Sequence, residues 1–256
     1  MYIWNKVDFC HNHQLETKLL SNHCVAMDKD EISEVFESAL ADPIISAARL
    51  SVLEIGGKSL KELGSHAQIH GHLVGDRDIS AFAVLSGLAA DIIIGFSTLI
   101  RSHNEYSAAA LLRQLVEFEY LFFVAYQDKS ELGKWLEADG DTLRKQFTPQ
   151  KMRNKSRGLF RDQEYWTHCD MGGHPNPRAR VFLTGGSNIR KIAAFLLPDG
   201  VHHFRRMWTS IKLLYPVLLG DNKSQLGKLE IVSNEIAAWE SKEHPIILSI
   251  DGIQHT

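Results

Sequence analysis

ISAFAVLSGLAADIIIGFSTLI, residues 79–100, is the stretch on which the fold turns. It is nearly continuously apolar for over twenty residues, the length at which a membrane span has to be weighed. Asp91 stands in its middle, where a charge costs about 2.5–3.5 kcal/mol, and Ser80, Ser86, Gly87, Ser97 and Thr98 dilute the hydrophobicity. The segment therefore reads as the buried central helix of a bundle. After Ser102-His103-Asn104 a second helix is expected from about Glu105 to Tyr126, with Ala108, Leu111, Leu115, Phe118 and Phe122 on one stripe. A short connection between two such helices predicts an antiparallel pair.

Working outward, 3.6-residue periodicity continues in both directions, and no apolar/polar alternation bounded by hairpin turns interrupts it. The expected class is all-α, a helical bundle with an N-terminal helical arm. Upstream, helices are expected at 30–41, at 44–55 with Gly56-Gly57 ending it, and more weakly at 59–73. Downstream they are expected at about 130–137, 149–157, 159–170, 187–196, 202–219 and 223–243. Thr148-Pro149 has the chemistry of an N-cap followed by proline at N1. The implied organisation is an arm or cap at 1–76, the bundle at 77–245 and a tail at 246–256.

The chain has 256 residues, 44% hydrophobic and 23% charged, which excludes disorder, collagen and a disulfide miniprotein. Cys10, Cys24 and Cys169 are an odd set at no metal-ligand or redox spacing, and the opening residues lack the pattern of a secretory signal. Both features lead us to expect a cytoplasmic protein without a membrane partner. Net charge is −3, but residues 141–212 hold 14 basic and 5 acidic residues, net +9, against −12 for the rest. Such a segment fits either a polyanion-binding face or basic helices packed on acidic ones.

Chemistry concentrates in RDQEYWTH, residues 161–168. On a helix extending through this stretch, Arg161 and His168 are about 20° short of two full turns apart and share a face. Glu164 lies one turn before His168, and Tyr165 one turn after Arg161. The basic run Lys151, Arg153, Lys155 and Arg157 lies just upstream. A fixed cation, a proton-transfer group and hydrogen-bond partners are what phosphodiester chemistry requires. The alternative is an exposed arginine and a histidine favoured by a helix C-terminus. Arg113 and Glu117 form a second pair, one turn apart on an otherwise apolar helix, read either as a structural salt bridge or as the wall of a pocket facing the Arg161 helix. Asp91 can complete either network.

Other patterns carry less. His66, His70 and His72 have some of the spacing of a transition-metal site but lack a His-Glu-x-x-His motif or a cysteine pair, and packed or solvated histidines are expected. His11-Asn12-His13 has no ββα frame around it. His202-His203 with Arg205-Arg206 reads as a solvated helix start or an extension of the basic face. Gly56-Gly57-Lys58 and Thr184-Gly185-Gly186-Ser187 form no phosphate-binding loop, and there is no Gly-x-Ser-x-Gly elbow.

Arg161-Asp162 followed by His168 resembles the Arg-polar-x(4–6)-His signature of the HEPN (higher eukaryotes and prokaryotes nucleotide-binding) superfamily, whose members are small all-α bundles. LLRQLVEFE (111–119) and YWTHCDMGGHP (165–175) are similar to a group of bacterial HEPN-like proteins that pair an Arg-x-x-x-Glu helix with a Tyr and a His-Pro turn. The likeness covers roughly residues 80–215. It implies a metal-independent endoribonuclease of toxin or antiphage-defence type, requiring no cofactor, with the site composed across a homodimer. Arg161 would stabilise charge at the scissile phosphate and His168 would assist 2′-hydroxyl attack. Asp162 would be the polar residue of the signature, and His174 a rival for the role of His168. RNA or a nucleotide, and an antitoxin or defence protein, are the implied partners. A non-catalytic module binding nucleotide, RNA or a protein partner through the basic face is the alternative, since some members are inactive.

Overall fold

The structure, a computed structural model, describes residues 41–254 except 157, 174–176 and 183–186; side chains at 173, 178, 180–181, 187–194 and 244–254 are also outside the description. The chain is an all-α bundle, with no strand among the described residues. Its long helices are α1 (Pro43–Val74), α2 (Arg77–Arg101), α3 (Glu105–Gln127), α8 (Ser187–Leu219) and α9 (Lys223–Gln254). Four short helices lie between α3 and α8: α4 (Ser130–Leu136), α5 (Gly140–Gln146), α6 (Pro149–Lys155) and α7 (Asp162–His168). A π-helical turn, Cys169–Gly173, and a 3₁₀ turn, Pro177–Phe182, follow α7.

Local signals set several of these boundaries. Asp42 accepts from the backbone of Ile44 and Ile45 ahead of Pro43 at the first turn of α1, and Gly75 closes that helix in the left-handed region at φ 68°. Asp76, Asn104, Asp139 and Thr148 cap α2, α3, α5 and α6 through their side chains. The expected helix at 30–41 falls largely outside the described residues.

α1 departs from expectation by running unbroken through Gly56-Gly57. A Cβ on Gly56 would stand 2.1 Å from the Phe204 ring, and one on Gly57 would stand 2.9 Å from Ile94. These glycines therefore mark where α8 and α2 cross closely over α1, rather than a helix end. Val52, Leu53, Leu60, Leu63 and Ala67 of α1 are fully buried in the same core as α2, α3 and α8, so residues 43–74 belong to the bundle and are no separate arm. Helix α9 likewise continues to Gln254 through the expected tail. The helices expected at 187–196 and 202–219 are one, α8, which runs through Pro198 although proline gives up one backbone hydrogen bond there.

Helix α2 is, among the described residues, the one helix long and apolar enough to cross a membrane; 56% of its most apolar window is buried in the bundle. Phe82, Leu85, Ile93 and Phe96 fill the core, while Val84 and Leu88 are exposed. Asp91 is on the outer side, paired with Lys61 at 3.0 Å, and does not complete a network with Arg113 and Glu117.

Candidate functional site

Helix α7 begins at Asp162, with Arg161 as its N-cap residue in extended backbone, rather than at Leu159. The seven-residue spacing therefore does not run along one helix. Arg161 is exposed, whereas His168, at the other end, is 1% exposed, so the two do not share a solvent-facing stripe as expected. What holds α7 in place is its other side. Arg113 Nη2 donates to the Tyr165 hydroxyl at 2.8 Å, Arg113 Nε donates to Cys169 Sγ at 3.3 Å, and the Tyr165 hydroxyl donates to Glu117 at 3.2 Å. Arg113 and Glu117 pair at 2.8 Å and are partly exposed, so the pair does face the helix that follows Arg161. Arg153 lies 4.4 Å from the centre of the Tyr165 ring, and Gly172 packs against α3 so closely that a Cβ would meet the Ala109 backbone at 2.4 Å.

These contacts point His168 inward, into a polar cluster built from three helices. Glu119 comes from α3, Glu164 and His168 from α7, and Asp199, His203 and Arg206 from α8. His168 Nε2 and His203 Nε2 are 3.1 Å apart. His203 Nδ1 is 2.6 Å from Glu119 Oε2 and donates to the carboxylate, while Nε2 faces His168. Arg206 Nη2 is 2.9 Å from the same Nδ1, held there by the carboxylates it joins, Glu119 at 2.6 Å and Glu164 at 2.6 Å. Asp199 closes the ring, with Oδ1 3.4 Å from His203 Nε2 and Oδ2 3.6 Å from His168 Nδ1. Glu164 Oε1 is 3.5 Å from His203 Nε2. Both imidazoles are buried, and the cluster reaches solvent only along Glu164, Asp199 and Arg206, whose side chains are 22%, 19% and 24% exposed.

The surroundings drive the two imidazoles apart electrostatically. Burial pushes the His168 pKa down, against the pull of Asp199, and keeps its ring neutral. Burial and Arg206 oppose charge on His203 too, but the charges and hydrogen bonds of Glu119 and Asp199 outweigh them and hold it raised to about 9. Burial also disfavours the Asp199 carboxylate, yet His168, His203 and Arg206 hold it down to about 2. Glu164 is lowered as well, because His203 and Arg206 outweigh its burial. Neighbouring His202 is pushed down to about 3 by burial and by Arg205 and Arg206.

The expected RNA-binding run is mostly spent on ion pairs. Arg153 is buried and bonded to Asp162 at 2.8 Å; Lys155 pairs with Glu131; Lys151 is exposed. Arg157 and His174 lie outside the described residues. Arg205 pairs with Glu240, Lys212 with Glu230, and Arg206 with Glu119, so acids from the negative remainder neutralise much of the basic segment. His66 bonds Tyr215 through Nδ1 at 2.9 Å and faces Asn222 through Nε2 at 3.4 Å, which makes it a packed histidine; His72 is exposed. Sequence reasoning gave no role to Glu119 or Asp199, and read His203 and Arg206 only as a solvated helix start or an extension of the basic face. The signal available was a repeated spacing: an acid four residues before a histidine, in Glu164-x₃-His168 and again in Asp199-x₃-His203.

Comparison with family models, with curated proteins and with solved structures gives no match.

Proposed function

We propose that this chain cleaves RNA by 2′-hydroxyl attack, with the Glu119–Glu164–His168–Asp199–His203–Arg206 cluster as its reaction centre. The observation that carries this reading is geometric: the buried His168 imidazole lies 3.1 Å from His203, which the Arg206 guanidinium approaches at 2.9 Å from its other side. An arginine and a histidine are the pair that the HEPN resemblance calls for, and here we assign the arginine's role to Arg206 in the cluster in place of Arg161 of the signature. Arg206, tethered by two carboxylates, is pre-oriented to stabilise charge developing on a phosphate, a kind of contribution worth about 10²–10³ in rate. As the 2′-oxygen bonds to phosphorus its proton leaves to the Asp199 carboxylate beside His168, the P–O5′ bond breaks, and the departing 5′-oxygen takes a proton back from the same cluster, giving a 2′,3′-cyclic phosphate and a 5′-hydroxyl. Trp166, 61% exposed and two residues before His168, offers a face on which an unpaired base can stack.

The test is cleavage of a fluorescent single-stranded oligoribonucleotide by wild type, His168→Gln, Arg206→Lys and Arg161→Ala, with a mobility shift on the same samples. We expect His168→Gln to lose about 10²–10⁴ in rate, Arg206→Lys to lose more than Arg161→Ala, and all variants to keep wild-type helicity. Equal cleavage by His168→Gln refutes the reading. No cleavage with a salt-sensitive shift moves the chain to the binding-module alternative.

A further inference from the structure

We propose that Glu164, His168 and His203 bind one divalent transition-metal ion, with Asp199 and Glu119 orienting the two imidazoles. This concerns the same cluster as the proposed cleavage and rests on that reading only for what the ion does, since binding is measured without RNA.

Geometry carries the inference. Ligand atoms about 2.0–2.2 Å from one ion stand about 2.9–3.6 Å from each other. The His168 Nε2 to His203 Nε2 distance is 3.1 Å and the Glu164 Oε1 to His203 Nε2 distance is 3.5 Å. One ligand atom from each of the three residues lies within 4.8 Å of the other two. Two imidazoles meeting nitrogen to nitrogen in a buried site form a single hydrogen bond at best, but they are two good ligands for one ion. The outer contacts fit as well. A histidine ligand usually gives its other ring nitrogen to a carboxylate, and here His203 Nδ1 faces Glu119 at 2.6 Å while His168 Nδ1 faces Asp199 at 3.6 Å.

Charge points the same way. Three carboxylates, Glu119, Glu164 and Asp199, face one guanidinium, Arg206, leaving a formal charge of −2 once His203 gives up its ring proton to become a ligand. A divalent ion cancels this charge with both imidazoles neutral. Two nitrogens and a carboxylate select zinc, iron, cobalt, nickel or manganese over magnesium or calcium, which prefer all-oxygen shells. The ion also removes an obstacle to the proposed substrate, because the Glu164 and Asp199 carboxylates at the opening would otherwise repel a phosphate. This departs from the metal-independent cleavage that the HEPN resemblance implies.

The test uses the full chain, stripped with chelator and titrated with Co²⁺ and with Zn²⁺, read by calorimetry and by cobalt visible absorption. We expect one ion per chain, with cobalt bands characteristic of nitrogen and oxygen ligands. His203→Gln and Glu164→Gln should weaken binding at least tenfold, Glu119→Gln about 10–100-fold through the imidazole it orients, and His66→Gln not at all. Glu119→Gln is nearly isosteric, so it keeps the test decisive should a histidine variant fail to fold. No saturable binding, or equal binding by wild type and both Glu164→Gln and Glu119→Gln, overturns the site. Ion binding without RNA cleavage sinks the proposed function and leaves the site standing. Cleavage at full rate by a stripped chain that binds no ion does the reverse.

Discussion

Replacing Arg206 with Met probes the electrostatics of the cluster without touching a proposed ligand. Arg206 joins Glu119, which is 1% exposed, to Glu164 at 2.6 Å each. Removing one partner of a buried ion pair typically costs about 3–5 kcal/mol, because the charge left behind has lost its water. Arg206 itself is 24% exposed, so solvent screens part of this, and the lower range of about 2–3 kcal/mol applies. For a chain of this length each kcal/mol moves Tm by about 2–4 °C, so the stripped variant should melt about 4–12 °C below wild type. The same change makes the cluster more negative by one charge and should strengthen cation binding. An ion at a hundred times its Kd adds about 2.7 kcal/mol, and the rise in Tm on adding Zn²⁺ at one fixed concentration should be larger in the variant than in wild type. Differential scanning calorimetry in chelator and in Zn²⁺ reads both quantities. An unchanged Tm in chelator, or a smaller zinc-induced rise in the variant, would refute the reasoning.

Three further outcomes follow from packing and charge. Gly172→Ala puts a methyl about 2.4 Å from the Ala109 backbone and should cost about 1–3 kcal/mol, seen as a lower Tm, while displacing α7 enough to reduce ion affinity. Glu243→Gln leaves Arg49 with a neutral partner in place of an ion pair whose side chains are 1% and 4% exposed; it should cost several kcal/mol, whereas the double variant Arg49→Met/Glu243→Met should be far closer to wild type in a denaturant titration. Glu131 is opposed by burial, but hydrogen bonds from Lys134 and Lys155 hold its carboxyl below the usual range. Its stabilising effect is therefore complete above the unfolded-state value of about 4.3 and fades as pH falls through the lower folded value, so Glu131→Gln should destabilise at pH 7 and converge on wild type in acid.

The parts of the fold written in local sequence were legible. The stripe from Ala108 to Phe122 locates α3 at Glu105–Gln127, and Thr148-Pro149 starts α6 as read, because caps and periodicity act over a few residues. Gly56-Gly57 misled because its role is set by helices crossing from elsewhere in the chain, and Gly200, against the Phe96 ring in the gap read between 196 and 202, is the same case: close packing overrides what glycine does in isolation. The site divides along the same line. Glu164 and His168 were visible as neighbours one turn apart. Asp199, His203 and Arg206 carry the same spacing some 35 residues later and read as a solvated helix start until α8 is laid against α7. Glu119 was hidden inside an apolar helix, and Arg161 was misplaced because α7 starts after it, which removes the two-turn alignment with His168. Of the two readings of the basic segment, the ion pairs seen are those of basic helices packed on acidic ones, and composition did not name the partners because they lie in α3, α4 and α9.

The most direct test of the central claim, that the α3–α7–α8 cluster is an ion-assisted RNA-cleaving centre, is a single-turnover cleavage assay on an oligoribonucleotide. Purified wild type is measured as isolated, after chelation, and after one equivalent of Zn²⁺, Mn²⁺ or Co²⁺ is restored. Cleavage should disappear on chelation and return with one equivalent of at least one of these ions, and His168→Gln should show none of it in any of the three states. Absence of cleavage in every state, or a rate indifferent to chelation, would contradict it.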